Sequence, residues 1–421
     1  MRVGMITTSY PSHEDDAAGR FVRTLAVGLA RRGHALEVVA PSVGRQDALD
    51  AGIDVHRVRY APAALERTFG RFGAPDNLAR DPLAWPGALS FPLALAHALR
   101  AQHARWDAIV SHFVVPTTLV AARFAAGRPH VAVAHGTDVH VAASVPGLAA
   151  RVRRSGARLV CVSTALAARL EAPEAIVQPM PIADDARPSL SRNDARARLG
   201  LDGFVALSLS RLVPIKGVDA AIRAVAGTSG LTLVVAGDGP ERSELERLAT
   251  SLAAPVRFVG HVSGDALGAY LAAADVLVAP SRALGARVEG TPTSVLEALR
   301  AGLPIVGSRI SGIGEVVPSG AGLLADDATP AFVRSALATY AGDAQRLLAA
   351  SRAARFAGEA FGADRVAARF EAWLEEGARA PIHLNRYEIQ RLSRQLRLTS
   401  SLLTAAYFEY ASFRGSGRAR T

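Results

Sequence analysis

Short apolar runs rich in β-branched residues alternate with amphipathic segments of helical period along residues 1–361. A buried parallel strand has this composition, and its crossover to the next parallel strand is usually a helix. The clearest helix, GRFVRTLAVGLARRG at 19–33, repeats its apolar residues at helical spacing until Gly33 ends it. Strands are predicted at 2–7, 35–40, 107–112, 130–135, 157–163, 204–210, 231–237, 256–260, 275–281 and 303–308, and helices of the second half at 241–252, 265–274 and 293–301. The alternation predicts an α/β fold with doubly wound parallel sheets.

A polar segment divides the chain into two halves. VQPMPIADDARPSLSRND, at 177–194, is rich in Pro, Asp and Ser and has no hydrophobic period. Because 421 residues exceed what one core usually supports, we expect two domains. The predicted bounds are 1–180 for an N-terminal Rossmann-like domain, 181–195 for the linker, 196–361 for a C-terminal Rossmann-like domain, 362–380 for a closing helix and 381–421 for a helical extension of open role. Two such domains would face a central cleft, with the carboxyl ends of their strands lining it.

We expect neither a signal peptide nor a transmembrane helix. The N-terminus MRVGMITTSYP lacks the apolar region of a secretory signal. The longest apolar stretch, at 85–99, is broken by Pro86 and Pro92 and is shorter than the roughly 18 residues of a spanning helix. Cys161 is the single cysteine and lies in an apolar run, where a small buried hydrophobe is expected. These features predict a cytoplasmic protein.

The formal net charge of +10 favours polyanionic or anionic-membrane partners. No zinc-finger spacing, RNP-like strand or leucine zipper accompanies this charge, so we do not expect a nucleic-acid partner. One denser basic region lies in the N-terminal half, at Arg57, Arg59, Arg67, Arg71 and Arg80. A solvated arginine-rich face explains it most simply, and peripheral contact with an anionic membrane at its inner face is the alternative.

The first predicted strand–helix junction argues against a dinucleotide-binding dehydrogenase. That class places G-x-G-x-x-G after its first strand, whereas this junction reads TTSYPSHEDDAAGRF and contains one glycine, Gly19. Gly19 stands at the start of the helix, where unpaired backbone N–H groups can receive an anion. The simpler alternative is that Gly19 permits a tight entry to the helix.

Lys216 is the only lysine among 48 lysine and arginine residues. It lies in SRLVPIKGVD, in the loop after a predicted strand, and Arg211 is in the same loop. Lysine is a compact point charge on a slim stem, so a site that keeps it among so many arginines suits a crowded anion. Two cations at the carboxyl end of a strand are suited to a diphosphate. Chance survival in a solvated loop is the alternative for Lys216.

Two glutamates flank the start of a predicted helix in RVEGTPTSVLEALRAG. Glu289 precedes the helix, which begins near Thr293, and Glu297 lies in its early turns. A carboxylate can hold a vicinal diol such as a ribose, and the N–H groups of the loop Gly290–Thr291–Pro292–Thr293 can meet phosphate oxygens. Taken singly, each glutamate is more often a helix-dipole or solvated residue than a ligand-binding group.

The second half resembles the C-terminal domain of retaining GT-B glycosyltransferases of family 4. The resemblance rests on SRLVPIKGVD, LVVAGDGPERSELERLA, VRFVGHVS, LAAADVLVAPS and EGTPTSVLEALRAGLPIVGS, which includes the E-x7-E pair Glu289 and Glu297. In the first half, GRFVRTLAVGLARRGH, DAIVSHFVVPTTLVAAR and VAVAHGTDVH agree with it. The similarity covers about 1–375, and nothing beyond 380 has a counterpart. It implies an acceptor-side N-terminal domain and a C-terminal domain that binds a nucleotide sugar.

For the donor, the resemblance implies one role per residue. Arg211 and Lys216 would bind the diphosphate and stabilise it as it leaves. Glu297 would hold the ribose, and Glu289 would contact the sugar and face the reacting centre. The loop at 290–293 would approach the donor phosphates.

In the N-terminal domain, the resemblance implies that His135 lies beneath the donor sugar as a catalytic residue. Asp138 would orient the acceptor or sugar hydroxyls, and Gly19 would let backbone amides approach the donor phosphate or the acceptor. A metal site formed by His135, Asp138 and His140 is a rival interpretation, but no fourth ligand is evident.

No D-x-D pair occurs in the chain, so we expect turnover without a metal or another cofactor. The expected reaction is sugar transfer to a glycan or lipid-linked acceptor, in cell-surface polysaccharide or glycolipid synthesis. Two alternatives stay open. A nucleotide-sugar epimerase, phosphorylase or hydrolase would turn over without an acceptor, and a non-catalytic scaffold would only bind the donor.

Overall fold

The computed structural model describes residues 1–379, apart from 15, 17, 45–51, 71–73, 184–187, 284–289 and 311. The chain forms two compact units, divided between Met180 and Pro181. The first unit contains Met1–Met180 and the described chain from Val366 onward, and the second contains Pro181–Arg365. Each unit is an α/β domain with its own parallel sheet.

The first unit contains a seven-stranded parallel sheet in the order β3-β2-β1-β4-β5-β6-β7. Its strands are β1 (Arg2–Ile6), β2 (Ala35–Pro41), β3 (Ile53–Val58), β4 (Ala108–His112), β5 (His130–Ala134), β6 (Arg158–Cys161) and β7 (Ile176–Val177). Its helices are α1 (Arg20–Arg31), α2 (Ala74–Arg80), α3 (Trp85–Gln102), α4 (Leu119–Ala125), α5 (Thr137–Ser144), α6 (Leu148–Arg153) and α7 (Thr164–Arg169). The chain order reverses between β1 and β4, which makes their carboxyl ends the place where a ligand crevice opens in such sheets.

The second unit contains a six-stranded parallel sheet in the order β10-β9-β8-β11-β12-β13. Its strands are β8 (Phe204–Leu209), β9 (Leu231–Ala236), β10 (Val256–Gly260), β11 (Val276–Ala279), β12 (Ile305–Ser308) and β13 (Gly322–Ala325). Its helices are α8 (Arg192–Leu199), α9 (Val218–Val225), α10 (Arg242–Ser251), α11 (Gly264–Ala273), α12 (Thr293–Ala301), α13 (Ile313–Val316), α14 (Pro330–Gly342) and α15 (Ala344–Gly358). The reversal here lies between β8 and β11.

All ten predicted strands are present, and the structure adds three more: β3, β7 and β13. Each added strand lies at the edge of its sheet. Most of the residues of β3 and β13 are only partly buried, and β7 is two residues long. An edge strand covered on fewer sides does not need the continuous apolar run that marks a central strand, so the sequence signal is weak.

Helix α8 begins inside the segment that the sequence analysis assigned to the linker. Its N-cap is Ser191, whose side chain accepts a hydrogen bond from the backbone N–H of Asp194. Ser191 is a typical N-cap residue. Helix α8 itself is rich in arginine and has no apolar stripe, which explains why hydrophobic periodicity did not reveal the helix.

The last described helix, α16 (Ala363–Arg379), runs from the second unit into the first. Its apolar face, Val366, Ala367, Phe370 and Leu374, is part of the core of the first unit. On its polar side Glu371 accepts hydrogen bonds from Arg32 and pairs with His34 (Nε2···Oε1 2.9 Å). Burial alone would raise the pKa of Glu371, but these two partners outweigh it and hold the pKa below its usual value. Helix α16 is thus a structural part of the first unit.

Two further sequence-based expectations concern the described chain. Cys161 is fully buried in β6, and burial raises the pKa of its thiol to about 12, so the thiol stays protonated at physiological pH. Among the described helices, none is both long and apolar enough to cross a bilayer.

Candidate functional site

Two histidines meet at the carboxyl ends of neighbouring strands in the first unit. His112 ends β4, and His135 follows β5, which pairs with β4. His112 Nδ1 lies 3.1 Å from His135 Nε2, and the two rings are stacked with centroids 5.3 Å apart. His112 is 0% exposed, whereas His135 is only partly buried. His135 is therefore the accessible member of a hydrogen-bonded pair.

Two phenylalanine rings complete the surroundings of His135. The ring of Phe113 lies 4.5 Å from the His135 ring centroid and that of Phe21, on α1, lies 4.8 Å from it. Phe113 has a φ of 66°, in the left-handed region that a bulky side chain rarely adopts. Such strain is kept only where the surrounding structure imposes it, and it is frequent at functional sites.

The Asp138 carboxylate holds the turn that carries His135. Asp138 is 4% exposed and lies in the first turn of α5. Its Oδ1 accepts from the backbone N–H groups of His135 (3.1 Å) and Gly136 (2.8 Å), and its Oδ2 accepts from that of Val114 (2.7 Å). These contacts join the turn after β5 to the loop after β4. They give Asp138 a positioning role and leave little of its surface for the sugar hydroxyls that the resemblance implied.

Burial controls the protonation of this cluster. Burial lowers the pKa of His112 to about 3. Burial, and to a smaller extent the neighbouring His112 ring, lower the pKa of His135 well below its usual value. Burial also raises the pKa of Asp138, and the backbone N–H groups that donate to the carboxylate oppose that shift. Both histidines are therefore neutral at physiological pH.

Gly19 directly precedes α1, with a φ of 76°. A Cβ at this position would collide with the backbone of Ser9 and Tyr10, so the close approach of two chain segments requires glycine here. This packing supports the simpler alternative for Gly19, a tight entry to the helix. A role in approaching phosphate stays a proposal.

In the second unit, the loops after the central strands β8 and β11 are joined to each other. The loop after β8 carries Arg211 and Lys216, which closes a short 3₁₀ turn from Pro214. The backbone N–H of Arg282, after β11, donates to the carbonyl of Ile215 (2.9 Å). Gly217 follows Lys216 with a φ of 65° and packs against the carbonyl of Pro280 so closely that a Cβ would not fit. The position of Lys216 is therefore tied to the adjacent strand.

The loops after β8 and β9 are also in close contact. The backbone N–H of Leu212 donates to the carbonyl of Asp238 (2.9 Å), and Gly237 and Gly239 face the backbone of Ser210 and Leu212 with no room for a side chain. The buried hydroxyl of Ser210 has no hydrogen-bond partner among the described residues. It is an unused donor beside Arg211, and the sequence analysis did not identify it.

Helix α12 presents its N-terminus at the same end of the sheet. Pro292 precedes it in an extended conformation, and no described side chain caps it. Backbone N–H groups of its first turn are thus available to an anion. Glu297 lies in the second turn and is partly buried. Gly290, Thr291, Pro292 and Thr293 are described, whereas Glu289 lies outside the described residues, so only one end of the E-x7-E pair has a described position.

Within the described part of the chain, no group of three His, Cys, Asp or Glu side chains is arranged to hold a metal ion. For the rival site at His135, Asp138 and His140, the Asp138 oxygens are already taken up by backbone N–H groups.

Sequence reasoning missed four residues of these two regions: His112, Phe113, Ser210 and Arg282. All four end or directly follow a predicted strand, and that position was a usable signal, because the carboxyl ends of parallel strands line ligand crevices. The strain at Phe113 had no signal in the sequence.

Each of the two units matches a different model of a known protein family. Residues 18–177 match the family model described as Glycosyltransferase Family 4, and residues 203–342 match the one described as Glycosyl transferases group 1.

Curated relatives match over part of their length. A GDP-mannose-dependent alpha-(1-6)-phosphatidylinositol monomannoside mannosyltransferase of Mycobacterium tuberculosis is 37% identical over 169 residues, which are 38% of this chain and 44% of the relative. A D-inositol 3-phosphate glycosyltransferase of Streptomyces avermitilis is 34% identical over 212 residues, 46% of this chain and 44% of the relative. The chain thus spans about half the length of these relatives.

Solved structures match over nearly the whole described chain. Sucrose-phosphate synthase from Thermosynechococcus elongatus has a TM-score of 0.70 at 19% identity and covers 89% of this chain and 99% of its own. Anabaena HepE in complex with UDP has a TM-score of 0.66 at 20% identity, with 89% and 100% coverage. At these identities the likeness shows the fold, two Rossmann-like domains of GT-B type.

Proposed function

Because the chain belongs to the GT-B glycosyltransferases of family 4, we propose that it transfers a sugar from a nucleotide-diphosphate sugar to a glycan or lipid-linked acceptor with retention of anomeric configuration. The donor class agrees with the names of the relatives, among them a GDP-mannose-dependent enzyme, and with the UDP bound in a structural neighbour. A lipid-linked acceptor agrees with the phosphatidylinositol mannoside named for the first of them.

One observation carries the proposal: the loop with Arg211 and Lys216 is held against the loop after β11 by the Arg282–Ile215 hydrogen bond and the Gly217–Pro280 packing. Two cations and the N-terminus of α12, which no described side chain caps, therefore belong to one end of one sheet. Fixed positive charge of this kind is suited to a diphosphate.

The reaction follows from charge. As the bond between the sugar and the diphosphate lengthens, the anomeric centre becomes oxocarbenium-like and negative charge grows on the departing diphosphate. Cations already fixed in place stabilise that charge more than they stabilise the ground state, so they lower the barrier. Arg211 and Lys216 serve this role. Glu297 holds the donor ribose, and Glu289 contacts the sugar.

The acceptor attacks the same face of the sugar from which the diphosphate departs, and its proton passes to the departing phosphate. This route retains configuration and needs no basic side chain. His135 supports the sugar as a neutral group, in agreement with its depressed pKa.

A thermal-shift panel tests the donor. UDP-, GDP- and ADP-sugars are each added in the presence of a chelator, with Lys216→Ala as the control variant. We expect one nucleotide class to raise Tm in the wild type and to raise it much less in the variant. Stabilisation that requires a divalent metal would overturn metal independence.

A transfer assay with that donor tests the reaction. Anomeric proton couplings in the NMR spectrum of the product report retention. Donor turnover at full rate without any acceptor would instead identify an epimerase, phosphorylase or hydrolase. Donor binding without turnover, unchanged by substitution of Arg211, Lys216 or Glu297, would identify a scaffold.

We also propose peripheral contact with an anionic membrane at its inner face, through the first unit. Leu83 and Leu93 are 49% and 65% exposed. In the preceding segment Arg59 and Arg67 are exposed, although each also pairs with a carboxylate, Glu66 (3.4 Å) and Asp81 (3.3 Å) respectively. Arg57 does not contribute, because its guanidinium donates to the carbonyls of Tyr10 and Pro11. Arg71 lies outside the described residues.

Co-sedimentation with vesicles tests this contact. We expect binding to vesicles that contain phosphatidylglycerol, weaker binding to pure phosphatidylcholine, and a loss of binding in the double variant Leu83→Ser and Leu93→Ser. Equal binding by the wild type and the double variant would refute the contact.

A further inference from the structure

His112 uses only one of its two ring nitrogens. Nδ1 is within hydrogen-bond distance of His135 Nε2 (3.1 Å), whereas Nε2 is buried and has no partner among the described residues. The ring is fully buried at the end of β4, and its neighbours leave it no access to solvent. Because one proton joins the two rings, its location decides which nitrogen atoms of the pair can donate and which can only accept.

Two arrangements of neutral rings satisfy the hydrogen bond. If His135 Nε2 carries the proton, His112 must carry its own proton on Nε2, and a buried N–H is left without an acceptor. If His112 Nδ1 carries the proton, His112 Nε2 is a bare nitrogen, and the N–H without a protein partner belongs to His135, whose ring is only partly buried. Buried N–H groups without a partner are rarer than unsatisfied acceptors. The second arrangement is therefore the more stable one.

The second arrangement determines the chemistry of His135. With Nε2 accepting from His112, the neutral His135 ring carries its proton on Nδ1, since the partner of one ring nitrogen sets the tautomer of the other. His135 Nδ1 has no hydrogen-bond partner among the described residues. The rings of Phe21 and Phe113 pack against His135 and oppose its rotation.

We propose that His112 is a positioning residue that holds His135 in its Nδ1-protonated tautomer, so that His135 meets the sugar as a neutral hydrogen-bond donor and not as a base. The inference rests on the proposed function for the identity of the ligand. The tautomer itself is a property of the free protein and is tested separately.

A matched pair of variants isolates the hydrogen bond. In His112→Asn the amide nitrogen occupies nearly the place of Nδ1 and can still donate to His135. In His112→Leu a side chain of similar shape has no donor. We expect His112→Asn to keep kcat within about 3-fold of the wild type and His112→Leu to lower kcat by about 3- to 10-fold more, the range of one net hydrogen bond. The KM for the donor should change little in both.

Nitrogen-15 NMR of histidine-labelled protein reads the tautomer directly. The His135 signals are assigned by their loss in His135→Gln, since the chain has 11 histidines. In the wild type we expect Nδ1 to show the shift of a protonated ring nitrogen and Nε2 that of an acceptor. In His112→Leu the proton should move towards Nε2.

Two results would overturn the inference: a protonated Nε2 on His135 in the wild type, or equal kcat in His112→Asn and His112→Leu. Circular dichroism and Tm show whether each variant is folded, and the wild-type spectrum decides the tautomer even if His112→Leu does not fold. If the protein transfers no sugar at all, the proposed function fails while the tautomer can still be read.

Discussion

Replacement of Gly217 by alanine tests whether the coupling of the β8 and β11 loops supports the cation site. Gly217 has a φ of 65°, and an added Cβ would lie 2.0 Å from the carbonyl oxygen of Pro280. The positive φ costs an alanine about 1–2 kcal/mol. The oxygen must also retreat by about 1 Å, and overpacking of this kind costs about 1–3 kcal/mol more.

Gly227→Ala is the matched control. Gly227 has a φ of 72°, and a Cβ there would meet nothing within 4 Å. Gly227→Ala therefore loses about 1–2 kcal/mol through the positive φ alone and displaces no loop. The difference between the two variants isolates the displacement.

Chemical denaturation, isothermal titration with the donor and a transfer assay measure the consequences. We expect Gly217→Ala to be less stable than Gly227→Ala by about 1–3 kcal/mol. Because the shifted backbone adjoins Lys216, turnover should fall by about 100-fold, the effect of a 1 Å misplacement, whereas Gly227→Ala keeps wild-type turnover. Equal stability and equal turnover in the two variants would refute the reasoning.

Three further predictions concern single side chains. Lys216→Ala should lose about 1.5–3 kcal/mol of leaving-group stabilisation, which is a 10- to 100-fold fall in kcat. Lys216→Arg should lose nearly as much activity, because the planar fork of arginine does not replace a slim ammonium. Full activity of the arginine variant would refute the role proposed for Lys216. Asp138→Asn should lower the free energy of unfolding by about 1–3 kcal/mol, since its NH₂ would face a backbone N–H; a raised KM for the acceptor at unchanged Tm would instead support contact with the substrate. Glu371→Gln should destabilise the protein by about 1 kcal/mol at pH 7. Because pairing depresses the pKa of Glu371, its contribution is present above the carboxyl's unfolded pKa and disappears as the pH falls through the folded value, so Tm of the two proteins should converge in acid.

The central strands were predictable from the sequence because burial on both faces demands continuous apolar runs. The ten predicted strands all exist, and helix α12 begins at Thr293, where the sequence placed its start. Edge strands such as β3 and β13 escaped prediction because partial exposure relaxes that demand. Helix α8 escaped for a related reason, since it has no strong apolar stripe.

Some residues of the candidate site were also predictable from the sequence, and others were not. Lys216 stood out in the sequence because it is unique in composition, and His135 because it matches a family motif. The sequence assigned no role to His112, although its ring lies within hydrogen-bond distance of the His135 ring. The role of Asp138 also depended on the fold, since its partners include Val114, which is 24 residues away in the chain.

The sequence by itself determined the two parallel sheets, the order of their central strands along the chain and the loops that carry charge, because hydrophobic period and residue type are local properties. Only the tertiary structure decided that α16 belongs to the core of the first unit, that Gly217 must be a glycine, and that His112 contacts His135. Those facts depend on which atoms meet across long separations in the chain, and packing and desolvation at such contacts leave no periodic trace in the residues that make them.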